Sequence, residues 1–169
     1  TSTADGNEEI YVMNADGSGQ TRLTYDSASD NSAAWSPDGS KIVFVSGRDG
    51  NREVYSMDTD GGALVNLTNA PGEDSSPAWS PDGSQIAFSS DRNGSWEVYL
   101  MNSDGTGTYP ITNAGAIDRA PSWNAAGSQI VFQSNRDGND EVYRMISDGS
   151  FQTNLTANAS ADGAPDLEH

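Results

Sequence analysis

The chain has 169 residues, with 25 acidic against eight basic side chains and a formal net charge of −17. That length suits one domain with a real core, and the surplus of carboxylates argues against nucleic acid, whose binders rely on Lys and Arg to displace counterions from phosphate. It also repels anionic membrane surfaces, no apolar stretch approaches the roughly 20 residues of a membrane span, and the lack of Cys removes disulfides, thiolate metal sites and cysteine nucleophiles.

In chain order, Tyr11 and Met13 open a frame that repeats without insertion or deletion. Tyr55, Tyr99 and Tyr143 follow at steps of 44 residues, each with Met57, Met101 or Met145 two residues on. Trp35, Trp79 and Trp123 keep the same interval, as do Phe44, Phe88 and Phe132. A fixed period of this length is the mark of stacked structural units.

Within one period four short strands are expected. The first is Ser32 to Ser36, ended by the turn Ser36-Pro37-Asp38-Gly39, where Pro presets φ and Gly accepts the positive φ that closes the turn. The second, Lys41 to Ser46, is rich in β-branched and aromatic residues, and Arg48-Asp49-Gly50-Asn51 turns it into the third, Glu53 to Asp58. Asp60-Gly61 leads to a fourth around Leu64 to Thr68. Short strands bounded by Asp-Gly turns make an all-β meander. Apolar groups on both faces, such as Val54, Tyr55 and Met57, require each sheet to stack on its neighbours, and the radial solution is a propeller. In the third period Asn124-Ala125-Ala126-Gly127 replaces Ser-Pro-Asp-Gly, so that hairpin is expected to be looser.

The frame holds three complete four-stranded blades and part of another. Thr1 aligns with Val45, at the end of a second strand, and Asp166 lies inside the next inner strand. The repeats thus occupy residues 4–166, and Leu167-Glu168-His169 reads as the start of a cloning scar leading into a histidine tag, which takes the only His with it. The incomplete blade and its apolar faces predict self-association of chains into a shared ring of about eight blades, within the usual range of four to eight.

Asp30, Asp74, Asp118 and Asp162 recur just before the inner strands. Near the mouth of a channel they are candidates for a cation or basic-partner site; structurally, each caps its turn or pairs with an arginine such as Arg48, Arg92 or Arg136. Asp58-Thr59-Asp60-Gly61 lacks the later ligands of a calcium loop and reads as a turn. Aromatics that recur in every unit are expected in the core between blades. Trp96, on the loop after Asn93-Gly94-Ser95, breaks the repeat and is the better candidate for binding, on an exposed loop. No Gly-x-Ser-x-Gly elbow and no natural His accompany these residues, so no catalytic set is assigned.

Ala-Trp-Ser-Pro-Asp-Gly-Ser, Ile-Val-Phe or Ile-Ala-Phe, Arg-Asp-Gly-Asn, Glu-Val-Tyr and Leu-Thr, in this order, resemble the WD40-like PD40 repeat of TolB-type β-propellers. The resemblance implies four-stranded blades with the Trp strand innermost, a periplasmic or extracellular location, and a non-catalytic scaffold that binds a protein without a cofactor. A calcium- or carbohydrate-binding module, or a propeller belonging to a larger hydrolase, are the alternatives.

Overall fold

The computed structural model describes residues 1–3, 6–113, 115–163 and 165–166; the expected scar at 167–169 lies outside them. Fourteen strands are found and no helix among the described residues. A two-stranded half-blade, β1 (Tyr11–Val12) and β2 (Thr21–Arg22), comes first. Three four-stranded antiparallel blades follow: β3 (Asp30–Trp35) to β6 (Val65–Asn66), β7 (Asp74–Trp79) to β10 (Tyr109–Pro110), and β11 (Asp118–Trp123) to β14 (Thr153–Asn154). Their second strands are β4 (Lys41–Ser46), β8 (Gln85–Ser90) and β12 (Gln129–Ser134), and their third are β5 (Glu53–Asp58), β9 (Glu97–Asn102) and β13 (Glu141–Ile146).

The central pair of each blade matches the expected limits, whereas the outer pair differs. The inner strand starts two residues early, at Asp30, and carries a bulge: Asn31 pairs with Val45, but the next pair is Ala34 with Val43. Ser32 at the bulge has φ 54°, with Ser76 and Ala120 alike in their blades. The extra residue re-aims the strand and leaves Asp30 paired opposite Ser46 instead of in a preceding loop. The fourth strand shrinks to Val65–Asn66.

The turns close as their residues demand. Gly39 (φ 68°) donates its N–H to the Ser36 carbonyl at 2.9 Å, while the Ser36 hydroxyl donates to Asp38 Oδ1 at 2.6 Å. The Asn124 hairpin, expected to be looser, keeps the same closure from Gly127 at 2.9 Å. Its carboxamide oxygen accepts from the N–H groups of Ser128 and Gln129, at 2.9 and 3.0 Å, and so replaces both the serine hydroxyl and the aspartate.

Blades join through a junction made three times. Tyr55, Met57, Ile42 and Phe44 of the first complete blade pack on Ile10, Val12 and Leu23 of the half-blade. The next junction sets Phe88, Tyr99 and Met101 on Val54 and Leu67, and the last sets Phe132, Tyr143 and Met145 on Val98, Leu100 and Ile111. The tryptophans do not form one uniform core layer, contrary to expectation. Trp123 is 2% exposed and donates Nε1–H to the Ala78 carbonyl at 3.2 Å, Trp79 is half-buried, and Trp35 is 54% exposed. Trp123 and Trp79 cover the inner strand of the preceding blade, at Ala78 and Ala34, whereas the half-blade before Trp35 has no inner strand among the described residues.

Candidate functional site

The repeating acidic residues belong to the scaffold. Asp30, Asp74 and Asp118 are buried, and each accepts a charge-assisted hydrogen bond from the arginine after its second strand: Arg48 at 2.8 Å, Arg92 at 3.0 Å and Arg136 at 2.9 Å. The same guanidinium donates Nε–H to Ser46, Ser90 or Ser134 at 2.8 Å. It also lies over a Tyr ring, 4.9, 5.0 and 4.5 Å from the centroids of Tyr55, Tyr99 and Tyr143. A buried carboxylate needs such a partner, because desolvating it alone is costly. Asp162, half-buried, accepts instead from Asn158 Nδ2 at 2.6 Å. Each of these carboxylates is thus engaged by a nearby side chain, and among the described residues no three acidic side chains are grouped to hold a metal ion.

A second buried ladder, Glu9, Glu53, Glu97 and Glu141, was equally periodic in the sequence and was not singled out there. Each glutamate accepts a hydrogen bond from the threonine hydroxyl of its own fourth-strand region, Thr24, Thr68, Thr112 or Thr156. Around Glu53, Asn51 donates to the carboxylate at 2.9 Å and to the Ala70 carbonyl at 3.1 Å, pinning the segment that leads to the next blade. Burial pushes the Glu53 and Glu97 carboxyls up, with the next blade's Asp74 and Asp118 adding repulsion. The Thr156 hydrogen bond instead holds Glu141 low. Asp38 and Asp82 are brought down to about 2 by the hydroxyls of Ser36 and Ser80 together with the Ser40 and Ser84 N–H groups. The Asp58–Gly61 segment is a turn, closed by Gly61 N–H on the Asp58 carbonyl at 3.0 Å.

Residues that break the repeat behave differently, and three of them gather in one place. A pocket of about 260 Å³ is lined by Arg52 of the first complete blade, Trp96 of the second and Arg119 of the third, over a floor that includes the bulge residues Ser32 and Ser76. Arg52 lies 6.0 Å from the Trp96 ring centroid and donates to Glu73 at 2.7 Å. Arg119 is exposed and makes no ion pair among the described residues. Trp96, expected on an exposed loop, is half-buried, because the loop leads directly into β9 and the ring is covered by Arg52. Arg52 and Arg119 were missed in the sequence, although Glu8, Trp96 and Asp140 at the first register, and Asn31 and Ser75 at the second, mark both as departures.

The repeating units match the PD40 family, the TolB beta propeller domain, over residues 1–69 and 62–168. The chain belongs to this family. As a PD40 propeller it is similar to the structure of TolB from Acinetobacter baumannii, with a TM-score of 0.83 and 26% identity over 94% of this chain and 40% of that one. It is also similar to a structure described as TolB from Agrobacterium tumefaciens, with a TM-score of 0.81 and 28% identity over 89% of this chain and 57% of that one. The chain thus spans about half the length of these relatives. A puromycin-hydrolyzing peptidase of Mycobacterium tuberculosis shares the fold alone, at 15% identity and a TM-score of 0.72 over 90% of this chain and 26% of that one.

Proposed function

We propose that this PD40 propeller is a non-catalytic scaffold that binds a protein partner and self-associates into a shared ring, in the periplasm or outside the cell. The observation that carries the reading is the pocket of Arg52, Trp96 and Arg119, built from three blades by residues outside the repeat. Side chains held in place by the repeat serve the stacking of blades; those that depart from it are free to serve a ligand. Two guanidinium groups beside an indole suit a carboxylate-bearing segment of a protein, with the aromatic ring giving contact area and the arginines giving direction. The absence of an assigned catalytic set from the sequence, together with the fixed pairings of the buried carboxylates, supports a binding role over catalysis. Kinship with TolB supports the reading of a location in the periplasm or beyond.

The test uses immobilised peptides of matched length, one acidic and one basic. The acidic peptide is expected to bind and to be released by salt, as exposed charge pairs are screened. Trp96→Ala and Arg119→Glu are each expected to abolish that binding, while Trp35→Ala leaves it intact. Equal capture of both peptides, or acidic binding untouched by Trp96→Ala and Arg119→Glu, would overturn the assignment of the pocket.

A further inference from the structure

We propose that the two open blade faces of this chain meet head to tail in a second copy, with Leu155 and Val142 of one chain seated against Met13 and Gly17 of the other. This rests on the self-association reading above and assigns its surfaces.

Both halves of the contact are already displayed inside the molecule. At each internal junction the fourth-strand residue of one blade, Leu23, Leu67 or Ile111, is buried. Its backbone lies under the glycine that follows the third strand of the next blade. A methyl group placed on Gly61, Gly105 or Gly149 would fall 3.0, 2.7 or 2.4 Å from the carbonyl oxygen of Leu23, Leu67 or Ile111. Only glycine permits that approach, and its φ of 86–89° suits no other residue well. Gly17 has the same turn and φ (84°), but nothing lies within 4 Å of where its Cβ would stand. Leu155, the fourth residue of the leucine series, is 47% exposed.

The methionines report the same vacancy on the half-blade. Met57, Met101 and Met145 are at most 1% exposed, each facing the preceding blade, whereas Met13 at the identical register is 65% exposed. Val142, which stands where Ile10, Val54 and Val98 are buried, is half-exposed. At the internal junctions the second strand also takes part, through Phe44, Phe88 and Phe132. The half-blade has no such strand among the described residues, so the contact between chains draws on the third and fourth strands, which both ends possess. One position differs: Arg144 takes the place of Val12, Ser56 and Leu100, and Ser56 shows that an internal junction forms around a polar residue there. Two such contacts, related by a two-fold axis, close a ring and leave neither face open, whereas an unclosed series would grow into a filament.

The experiment compares the unaltered chain, Leu155→Asp and Met13→Asp by size-exclusion chromatography with light scattering, and follows peroxide oxidation of Met13 by mass spectrometry. Methionine oxidation tracks exposure. The unaltered chain is expected at twice the monomer mass with Met13 protected. Leu155→Asp is expected to be monomeric with Met13 oxidised, and Met13→Asp to be monomeric. Mixing the two variants, each with one intact face, is expected to restore a two-chain species, which misfolded variants could not do. A dimer whose mass and Met13 protection survive Leu155→Asp overturns these surfaces while self-association stands. A strictly monomeric unaltered chain overturns both.

Discussion

Glu97 and Glu141 occupy the same register in neighbouring blades, and their carboxyls are displaced in opposite directions. For Glu97, raised above 4.5 by burial, the folded chain favours the protonated acid. Its contribution to stability is complete below the ordinary value and is lost as pH rises through the raised one. For Glu141, held low by Thr156, the contribution is present above the ordinary value and is lost as pH falls. Glu97→Gln, which stays neutral, is therefore expected to lessen the fall in melting temperature as pH rises from the acid range to neutrality. Glu141→Gln is expected to lower the melting temperature at neutral pH and to matter little in acid. Thermal melts from strongly acid to neutral pH check both, and a common sign for the two variants would refute the opposed environments.

An inner strand derives its burial from the blade before it. Trp123→Ala removes a side chain packed on Ala78 and is expected to cost about 3–5 kcal/mol, whereas Trp35→Ala is expected to stay near 0.5 kcal/mol. Urea titration of the two variants measures the difference, and equal midpoints would contradict it. The period made the central strands legible, because Ile42, Phe44, Tyr55 and Met57 must share a face whatever surrounds them. It could not distinguish Trp35 from Trp123, since the residues are the same and only the neighbours differ. The bulge was hidden as well: Ser32, Ser76 and Ala120 have no composition that announces a positive φ, so the extension of the inner strand back to Asp30 was not legible, whereas the pairing of Asp30 with Arg48 was. Trp96 was visible as a departure from the repeat. Its pocket was not, because Arg52 and Arg119 lie 44 residues before and 23 after it in the chain and meet only across three blades.

In a linear array each unit is stabilised by its neighbours, so the ends should open first. Amide hydrogen exchange on the separated chain is expected to be fastest in β1–β2 and β14, and slowest in β8 and β9, which are packed on both sides. Uniform protection would show that the whole array opens as one unit.

The placement of the basic residues has a consequence for encounters in solution. Arg22, Arg48, Arg92 and Arg136 are turned toward the buried carboxylates of Glu9, Asp30, Asp74 and Asp118, and Lys41 and Arg52 are engaged by Asp58 and Glu73. Among the described residues this leaves Arg119 and Arg144 as the cations without an ion pair. On a separate chain an approaching polyanion meets a nearly continuous repulsive envelope broken at two landmarks, Arg119 at the pocket and Arg144 on the last blade, and in the ring proposed above the second is covered. Repulsion elsewhere would then orient the collision before any contact is made, and raising the salt would blur that orientation at the same time as it eased the approach.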